Sequence, residues 1–319
     1  MKILFLGFSN PDHASAFMVK GFRALGHTVT HIDPYLPEYA ELTALSEVYT
    51  DEDFVYVFHN NSHRLRADVP VPVVYYHYEL LWRASIDECD LLIMSTPLVE
   101  NGLVYWFPEI FKRNPAKYIQ YPGIDLERFD ARGKKKYLEC SFMGHVEWKE
   151  KCWIEKDIYK TRKRVVEACE KYLDLMPHNE YEEYIKNLKH SQATLIVHGR
   201  QCYISQRIFE AAAASVCPII YVDDEIGEKI YDDLKLFDGI NCIKLYDPHD
   251  LQSKLHTYNL LELGRNARKW VETRDNIHNC QEVINYVQKY QKYMENHKKQ
   301  CSLRATRRIE RTLRIDVSD

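Results

Sequence analysis

Residues 198–214 read HGRQCYISQRIFEAAAA, and this stretch indicates the fold of the chain more clearly than any other. An apolar run ends at Val197, a loop with glycine and arginine follows, and a helix is predicted to open near Ser205. The first turn of a helix presents N–H groups without intrahelical partners, so it attracts phosphate. The same residues also fit an ordinary amphipathic helix with a capping serine and a solvated arginine. The residues alone leave both interpretations open.

The first half of the chain alternates short apolar segments with helical patterns. The predicted strands are residues 3–6, 28–32, 54–58, 73–76 and 91–94, and a further strand is predicted to end at residues 121–123. Most of these segments are apolar without alternation, as strands covered on both faces should be. Asn10 and Pro11 predict the start of a helix after the first strand, and Gly26 predicts its end. Strand–helix alternation of this kind predicts a parallel sheet with helices on both sides.

A charged segment, RGKKK at residues 132–136, interrupts this pattern, and a second alternation follows it. Strands are predicted at residues 137–142, 194–197, 218–222 and 242–245, and helices at 157–175, 205–214 and between 248 and 291. We therefore expect an α/β protein with two Rossmann-like domains that face each other across a cleft. The expected limits are 1–133 for the first domain and 134–297 for the second, with a basic tail at 298–319.

Composition and charge narrow the class of protein. With 319 residues, the chain is too long for one ordinary core, and its net charge of -4 gives no general reason to expect a nucleic-acid partner. The nine cysteines include no C-x-x-C pair, which favours reduced thiols in a cytoplasmic protein. No segment approaches the roughly 18–20 apolar residues that span a membrane. We therefore expect no transmembrane segment.

Several motifs resemble those of one enzyme class. RIFEAAA at residues 207–213, followed by CPII at 217–220, resembles the Arg-x-Phe-Glu-Ala-x-Ala…Pro-x-Ile signature of GT-B glycosyltransferases. The CgeB-like (spore-maturation-type) members also look similar at residues 1–10, at PGIDLERF in 122–129 and at FMGH in 142–145. The resemblance touches both halves in the same order, over about residues 1–290. It implies the GT-B fold and a nucleotide-sugar donor.

The resemblance also implies a donor site. Glu210 matches the glutamate that holds the nucleotide ribose. Basic residues near the Phe-x-Gly loop, at residues 142–145, and before the signature helix are expected to hold the diphosphate. The residues predicted to bind the donor are Ser9, Gly144, His145, Arg200, Ser205, Arg207 and Glu210. Many retaining relatives carry a further glutamate, eight positions upstream, that contacts the donor sugar. Here that position is Cys202.

The first half offers candidates for catalysis. His77 and Glu79 follow a predicted strand, where they could act as a base or as acceptor ligands. A structural histidine beside a solvated glutamate explains the same residues. Ser9, at the first strand-to-helix loop, could approach the donor phosphate or the acceptor. His59 and His63 have a spacing that could suit a metal, but no cysteine or acidic residue lies at ligand spacing, so no metal site is predicted.

The first loop, GFSNPD at residues 7–12, has one glycine, which argues against a dinucleotide-binding dehydrogenase. We expect a glycosyltransferase that moves a sugar from a nucleotide diphosphate to an acceptor glycan or small molecule, without a metal or other cofactor. Three alternatives stay open: transfer to hydroxymethylated DNA bases, a non-catalytic nucleotide-sugar-binding protein, and a GT-B epimerase. The basic tail is the support for nucleic acid, and it also fits a solvated terminal helix.

Overall fold

Two parallel sheets, one in each half of the chain, form the framework of the protein. The computed structural model describes residues 1–11, 13–58, 65–77, 86–94, 116–120, 123–144, 153–176, 180–197 and 204–315. For residues 117, 153–159 and 297–315 it describes the backbone alone.

The first sheet confirms the five strands predicted at residues 3–94, and its sixth strand ends at Ile119, just before the strand end predicted at residues 121–123. Its strands are β1 (Lys2–Gly7), β2 (Thr28–Ile32), β3 (Phe54–Phe58), β4 (Val73–His77), β5 (Leu91–Met94) and β6 (Ala116–Ile119). The strand order is β2-β1-β3-β4-β5-β6, and every neighbouring pair is parallel. Every residue of β3, β4 and β5 is buried, which explains why these segments are apolar without alternation.

The second sheet repeats this topology. Its strands are β7 (Leu138–Met143), β8 (Asp174–Met176), β9 (Ser191–Ile196), β10 (Cys217–Tyr221) and β11 (Ile243–Leu245). The order is β11-β10-β9-β7-β8, again with parallel neighbours. In both sheets the first strand lies between the second and the third, so the winding reverses beside it. Open α/β sheets bind ligands at such switch points, beyond the carboxyl ends of the strands, which here are β1/β3 and β7/β9.

Within the described residues, eight α-helices accompany the sheets. They are α1 (Ala14–Ala24), α2 (Trp153–Cys169), α3 (Tyr181–His190), α4 (Gln206–Ala213), α5 (Glu225–Asp233), α6 (Leu251–Thr257), α7 (Leu260–Val271) and α8 (Asn276–Ile315). The helix predicted at 157–175 is too long, because α2 ends at Cys169 and a 3-10 turn leads into β8. Helices α3 and α5 were not predicted. None of the described helices is long and apolar enough to cross a membrane.

The last helix returns to the first sheet. Cys280, Val283, Ile284 and Val287 of α8 are buried in the same core cluster as Phe5 of β1. The sequence assigns these residues to the second domain, and the boundary predicted at residue 298 falls inside α8. The domain limits stay predictions, but the packing shows that α8 joins the core of the first sheet.

The start of α8 connects the two halves. The Asn276 side chain donates a hydrogen bond to the Phe17 carbonyl over 2.7 Å, and its backbone N–H donates to the Ile124 carbonyl over 3.1 Å. Gly21 and Gly123 permit this approach, since an added Cβ would lie 2.5 Å from the Asn276 oxygen and 2.7 Å from its Cα respectively. The junction is therefore closely packed and cannot accommodate larger residues at either glycine.

Candidate functional site

Helix α4 carries most of the signature and is fixed at both ends. The Ser205 hydroxyl accepts a hydrogen bond from the Arg207 N–H over 3.3 Å, so Ser205 is the N-cap, as predicted. Beyond the other end, the Lys136 ammonium donates to the Ala214 carbonyl over 3.0 Å, and the Arg268 guanidinium donates to the Ala213 carbonyl. Cations at a helix C-terminus complement the helix dipole. The N-terminus of α4 is therefore held in place beside the loop that follows β9.

Arg207 bridges the switch point of the second sheet. Its guanidinium donates a hydrogen bond to the carbonyl of Met143, the last residue of β7. Because α4 follows β9 in the chain, this contact joins the carboxyl end of β7 to the helix after β9. The guanidinium carbon also lies 4.8 Å from the centre of the Tyr184 ring, a cation–π distance. A permanently charged cation thus stands where a doubly wound sheet binds anionic ligands.

Glu210 lies one turn after Arg207 and is only 4% exposed. Its Oε1 accepts a hydrogen bond from the Tyr181 hydroxyl over 2.7 Å, and its Oε2 accepts one from the Tyr184 hydroxyl over 2.5 Å. Burial and the Glu210 carboxylate raise the pKa of Tyr184 well above its usual value, so this hydroxyl keeps its proton and donates. These bonds offset the cost of burying the carboxylate. A carboxylate accepts about four hydrogen bonds, and among the described residues two donate to Glu210, so capacity remains for a ligand.

Sequence reasoning missed Tyr181 and Tyr184 because it missed α3. The two residues lie one turn apart, and their rings stack with centroids 5.4 Å apart. A signal was present in the chain: Tyr181, Tyr184, Ile185 and Leu188 follow the i, i+3, i+4, i+7 spacing of an amphipathic helix. Ile185 and Leu188 are buried in the core beneath α4.

The other predicted donor residues divide into two groups. Gly144 directly follows β7 and the Met143 carbonyl that binds Arg207, so it belongs to the same edge. A Cβ added at Gly144 would have its nearest described neighbour, the Phe142 ring, 3.4 Å away, which is ordinary contact. His145 and Arg200 lie outside the described residues, as does Cys202. The structure therefore brings Gly144, Ser205, Arg207 and Glu210 to one sheet edge.

Ser9 lies in the loop after β1 of the first sheet and is hydrogen-bonded to Asp33, which directly follows β2. Its backbone N–H and its hydroxyl both donate to Asp33 Oδ2 over 2.7 Å, and the Tyr35 N–H donates to Oδ1 over 3.0 Å. Burial raises the pKa of Asp33, but these bonds outweigh it and hold the pKa below the usual value. Asp33 follows β2, so the pair spans β1 and β2 and lies on the flank away from the β1/β3 switch point.

The cap predicted at Asn10 is wrong. Helix α1 begins at Ala14, and its N-cap is His13, whose Nδ1 accepts a hydrogen bond from the Ser15 N–H over 3.2 Å. Burial lowers the pKa of His13 to about 4, so the ring is neutral at pH 7 and can accept that bond. The His13 ring also packs against Phe8, with centroids 4.6 Å apart.

His77 is the last residue of β4 and is fully buried. Its Nδ1 lies 3.0 Å from the Tyr75 hydroxyl. Burial and this contact are typical of a histidine that stabilises the sheet. Its position at the carboxyl end of a strand is the predicted one. Glu79 lies outside the described residues, and so do His59 and His63. A catalytic role for His77 and Glu79 stays a prediction.

A cavity of about 350 Å³ opens at the opposite edge of the first sheet, near the starts of β4 and β6. Its lining includes Val73, Asp90, Ala116, Tyr290 and Tyr293. The Tyr290 hydroxyl donates to Asp90 Oδ1 over 2.6 Å, which ties α8 to the loop before β5. This cavity lies at amino strand ends, so it is not the switch-point site.

Comparison with solved structures places the fold. No protein-family model matches the chain, and no curated protein matches it by sequence. Solved structures do match over nearly the full length. AviGT4, a glycosyltransferase involved in avilamycin A biosynthesis, has a TM-score of 0.57 and 13% identity, covering 92% of this chain and 98% of its own.

HepE from Anabaena, solved in complex with UDP, has a TM-score of 0.57 and 11% identity, covering 91% of this chain and 100% of its own. Sucrose-phosphate synthase from Thermosynechococcus elongatus has a TM-score of 0.58 and 10% identity, covering 93% and 100%. The chain has the GT-B fold. This confirms the predicted pair of Rossmann-like domains, while membership of the CgeB-like group stays a prediction. At these identities the likeness concerns the fold, and function must be argued from the site.

Proposed function

We propose that the protein is a glycosyltransferase that moves a sugar from a nucleoside-diphosphate donor to an acceptor hydroxyl. The observation that carries this proposal is the pair formed by Arg207 and Glu210. One turn of α4 presents a fixed cation and a hydrogen-bonded carboxylate beside the β7/β9 switch point. The cation can bind the diphosphate of the donor, and the carboxylate can accept hydrogen bonds from the two ribose hydroxyls.

In the proposed reaction, the acceptor oxygen forms a bond to the anomeric carbon of the sugar. The bond from that carbon to the diphosphate oxygen breaks, and the electron pair leaves with the nucleoside diphosphate. The proton of the acceptor hydroxyl passes to a base, for which His77 and Glu79 are the candidates from sequence. The negative charge on the leaving group is stabilised by the positive end of the α4 helix dipole and by Arg207, with Arg200 and His145 as further candidates.

Cationic side chains can stabilise that charge without a metal ion, so we propose a metal-independent reaction. Gly144 lets the diphosphate approach the backbone. Ser205 caps α4. Ser9 contributes to the donor site only as an acceptor, since both of its hydrogen-bonding hydrogens are donated to Asp33. We further propose a CgeB-like, cytoplasmic enzyme that acts on a glycan or small molecule.

Related folds supply a first probe. The HepE structures contain UDP, UDP with glucose, and UDP-glucose. UDP is therefore the first nucleotide to test here, and UDP-glucose the first intact donor.

The test is a thermal-shift and calorimetry screen of UDP, GDP, ADP and CDP in the presence of a chelator. A nucleotide at a hundred times its Kd should stabilise the native state by about 2.7 kcal/mol. A rise in melting temperature with one of them supports the proposal, and no shift with any of them contradicts it. Release of free nucleotide from the matching UDP-, GDP-, ADP- or CDP-sugar then distinguishes an enzyme from a binding protein, which would hold the donor intact.

A further inference from the structure

We propose that Tyr181 and Tyr184 are positioning residues, which orient the Glu210 carboxylate and thereby set a preference for ribose over 2′-deoxyribose in the donor. This inference rests on the proposed function, because it assumes that Glu210 binds the nucleotide ribose. It adds two residues from α3, a helix outside the signature stretch, to the determinants of donor specificity.

The hydrogen bonds define the orientation. One tyrosine hydroxyl binds each oxygen of Glu210, at 2.7 and 2.5 Å. Both hydroxyls come from consecutive turns of α3, so they approach the carboxylate from the same side. Two bonds to two different oxygens fix the plane of the carboxylate as well as its position. A single bond would leave rotation about the last side-chain torsion, which is broad for glutamate.

The tyrosine rings are themselves held on both sides. The Arg207 guanidinium lies 4.8 Å from the centre of the Tyr184 ring, and the Arg128 guanidinium lies 5.5 Å from that of Tyr181. Phe129 contacts Tyr181 edge-to-face, with centroids 6.4 Å apart. Stacking between the tyrosines completes a row of four side chains, which runs Arg128, Tyr181, Tyr184 and Arg207. Because packing fixes the rings, the hydroxyl groups occupy set positions.

A ribose presents two adjacent hydroxyl groups, which can donate to the two oxygens of one carboxylate. The remaining acceptor capacity of Glu210 allows this geometry while both tyrosine bonds persist. The 2′-deoxyribose retains one hydroxyl and so loses one bond to a charged group. A carboxylate free to rotate must lose that freedom when it binds both hydroxyls, so the second bond contributes less to affinity. The discrimination between the two sugars therefore depends on the fixed orientation.

The opposite mechanism makes a distinct prediction. If the tyrosines cover the acceptor positions that ribose needs, then donor binding must displace them. Removal of a hydroxyl would in that case strengthen the binding of a ribonucleotide. Under the positioning mechanism, removal weakens it and narrows the preference for ribose.

The experiment measures Kd by calorimetry for UDP, GDP, ADP and CDP and for their 2′-deoxy forms, with the parent, Tyr181→Phe, Tyr184→Phe and the double variant. Phenylalanine retains the ring and its cation–π contact and removes only the hydroxyl. For the tightest ribonucleotide, the parent should prefer the ribo form by about tenfold or more, the worth of one charged hydrogen bond. Each single variant should lower that ratio to about threefold, and the double variant should lower it further.

Tyr290→Phe is the matched control, because it also removes a tyrosine–carboxylate bond, to Asp90, but at the far edge of the first sheet. It should alter the melting temperature while the ribose preference stays at the parent value. A merely structural role for Tyr181 and Tyr184 would give the same pattern as this control and would overturn the inference. Tighter ribonucleotide binding in the variants would overturn it too. If the parent binds none of the nucleotides, the proposed function fails as well, whereas binding with an unchanged ratio refutes only the inference.

Discussion

Two carboxylates, one beyond the carboxyl ends of the strands of each sheet, have different kinds of hydrogen-bond donors. Asp33, at the β1/β2 edge, accepts hydrogen bonds from two backbone N–H groups and one serine hydroxyl of nearby loops. Glu210, at the β7/β9 switch point, accepts two bonds from side-chain hydroxyls of a separate helix. Backbone donors stabilise the loop that carries them. Side-chain donors instead orient the carboxylate and leave it available to a ligand.

The positions of the two carboxylates support this distinction. The winding of each sheet reverses beside its first strand, at β1/β3 and at β7/β9. Asp33 lies on the other flank of β1, so the topology gives no reason to expect a ligand there. Glu210 and Arg207 lie where the reversal opens a crevice. The comparison teaches that burial and hydrogen bonds do not by themselves make a carboxylate a ligand site. It must also lie at a switch point and have side-chain donors that leave it available to a ligand.

The largest effect is expected from Arg207→Ala. Loss of the guanidinium removes a charged hydrogen-bond donor from the diphosphate, worth roughly 1.5–3 kcal/mol, so nucleoside diphosphate affinity should fall about tenfold to a hundredfold. The affinity of the bare nucleoside should change by less than about threefold. Arg207→Lys serves as a control that keeps the charge but loses the planar fork. Equal losses for nucleoside and diphosphate in calorimetry would remove Arg207 from the phosphate site.

The pH dependence of the free energy of unfolding reports on His13, the N-cap of α1. Because burial lowers the pKa of His13 from 6.5 to about 4, the unfolded chain binds a proton more tightly than the native state. This contribution to stability is present above pH 6.5 and is lost as the pH falls toward 4. The linkage predicts a loss of about 2 kcal/mol between pH 7 and pH 5.

His13→Asn tests this contribution, because asparagine caps helices well and does not titrate. In denaturant titrations, the variant should lack that part of the acid destabilisation. If the parent and His13→Asn lose equal stability between pH 7 and pH 5, the histidine does not remain neutral in the native state.

A smaller effect is expected from Asp33→Asn. The amide group would face an N–H donor, which leaves a polar group without a partner and costs about 1–3 kcal/mol of unfolding free energy. Nucleoside diphosphate affinity should stay within about twofold of the parent value. A change in affinity beyond that range would show that the hydrogen bonds from Ser9 to Asp33 matter for donor binding.

The smallest effect on donor binding is expected from truncation after His297. This truncation removes the basic end of α8 and should leave nucleoside diphosphate affinity unchanged. If the segment recruits a polyanionic acceptor, acceptor binding should weaken and its salt dependence should flatten. Activity on the acceptor that is the same with and without the segment at every salt concentration would assign the segment to a solvated terminal helix.

The sequence predicted the two parallel sheets but not Tyr181 and Tyr184, the hydrogen-bond partners of Glu210. Strands β1, β3, β4 and β5 were predictable because burial on both faces makes them largely apolar. Glu210 was predictable from its motif. The signal for Tyr181 and Tyr184 was weak, because α3 is only ten residues long and buries only Ile185 and Leu188.

The ends of helices were hard to predict for a related reason. The charged pattern of α2 continues past Cys169, but pairing of β8 with β7 ends the helix there. The N-cap of α1 was misplaced because Asn10 and Pro11 have stronger cap preferences than His13, whose ring is instead buried against Phe8. Contacts outside the helices themselves decided both outcomes.

The central claim is that Glu210 binds the ribose of a nucleoside diphosphate. Calorimetry of the tightest-binding diphosphate with the parent and with Glu210→Gln tests it most directly. Glutamine keeps the size and one acceptor oxygen but removes the charge, so the affinity should fall roughly tenfold to a hundredfold while the fold survives. An affinity equal to that of the parent, in a variant with a native melting transition, would contradict the claim.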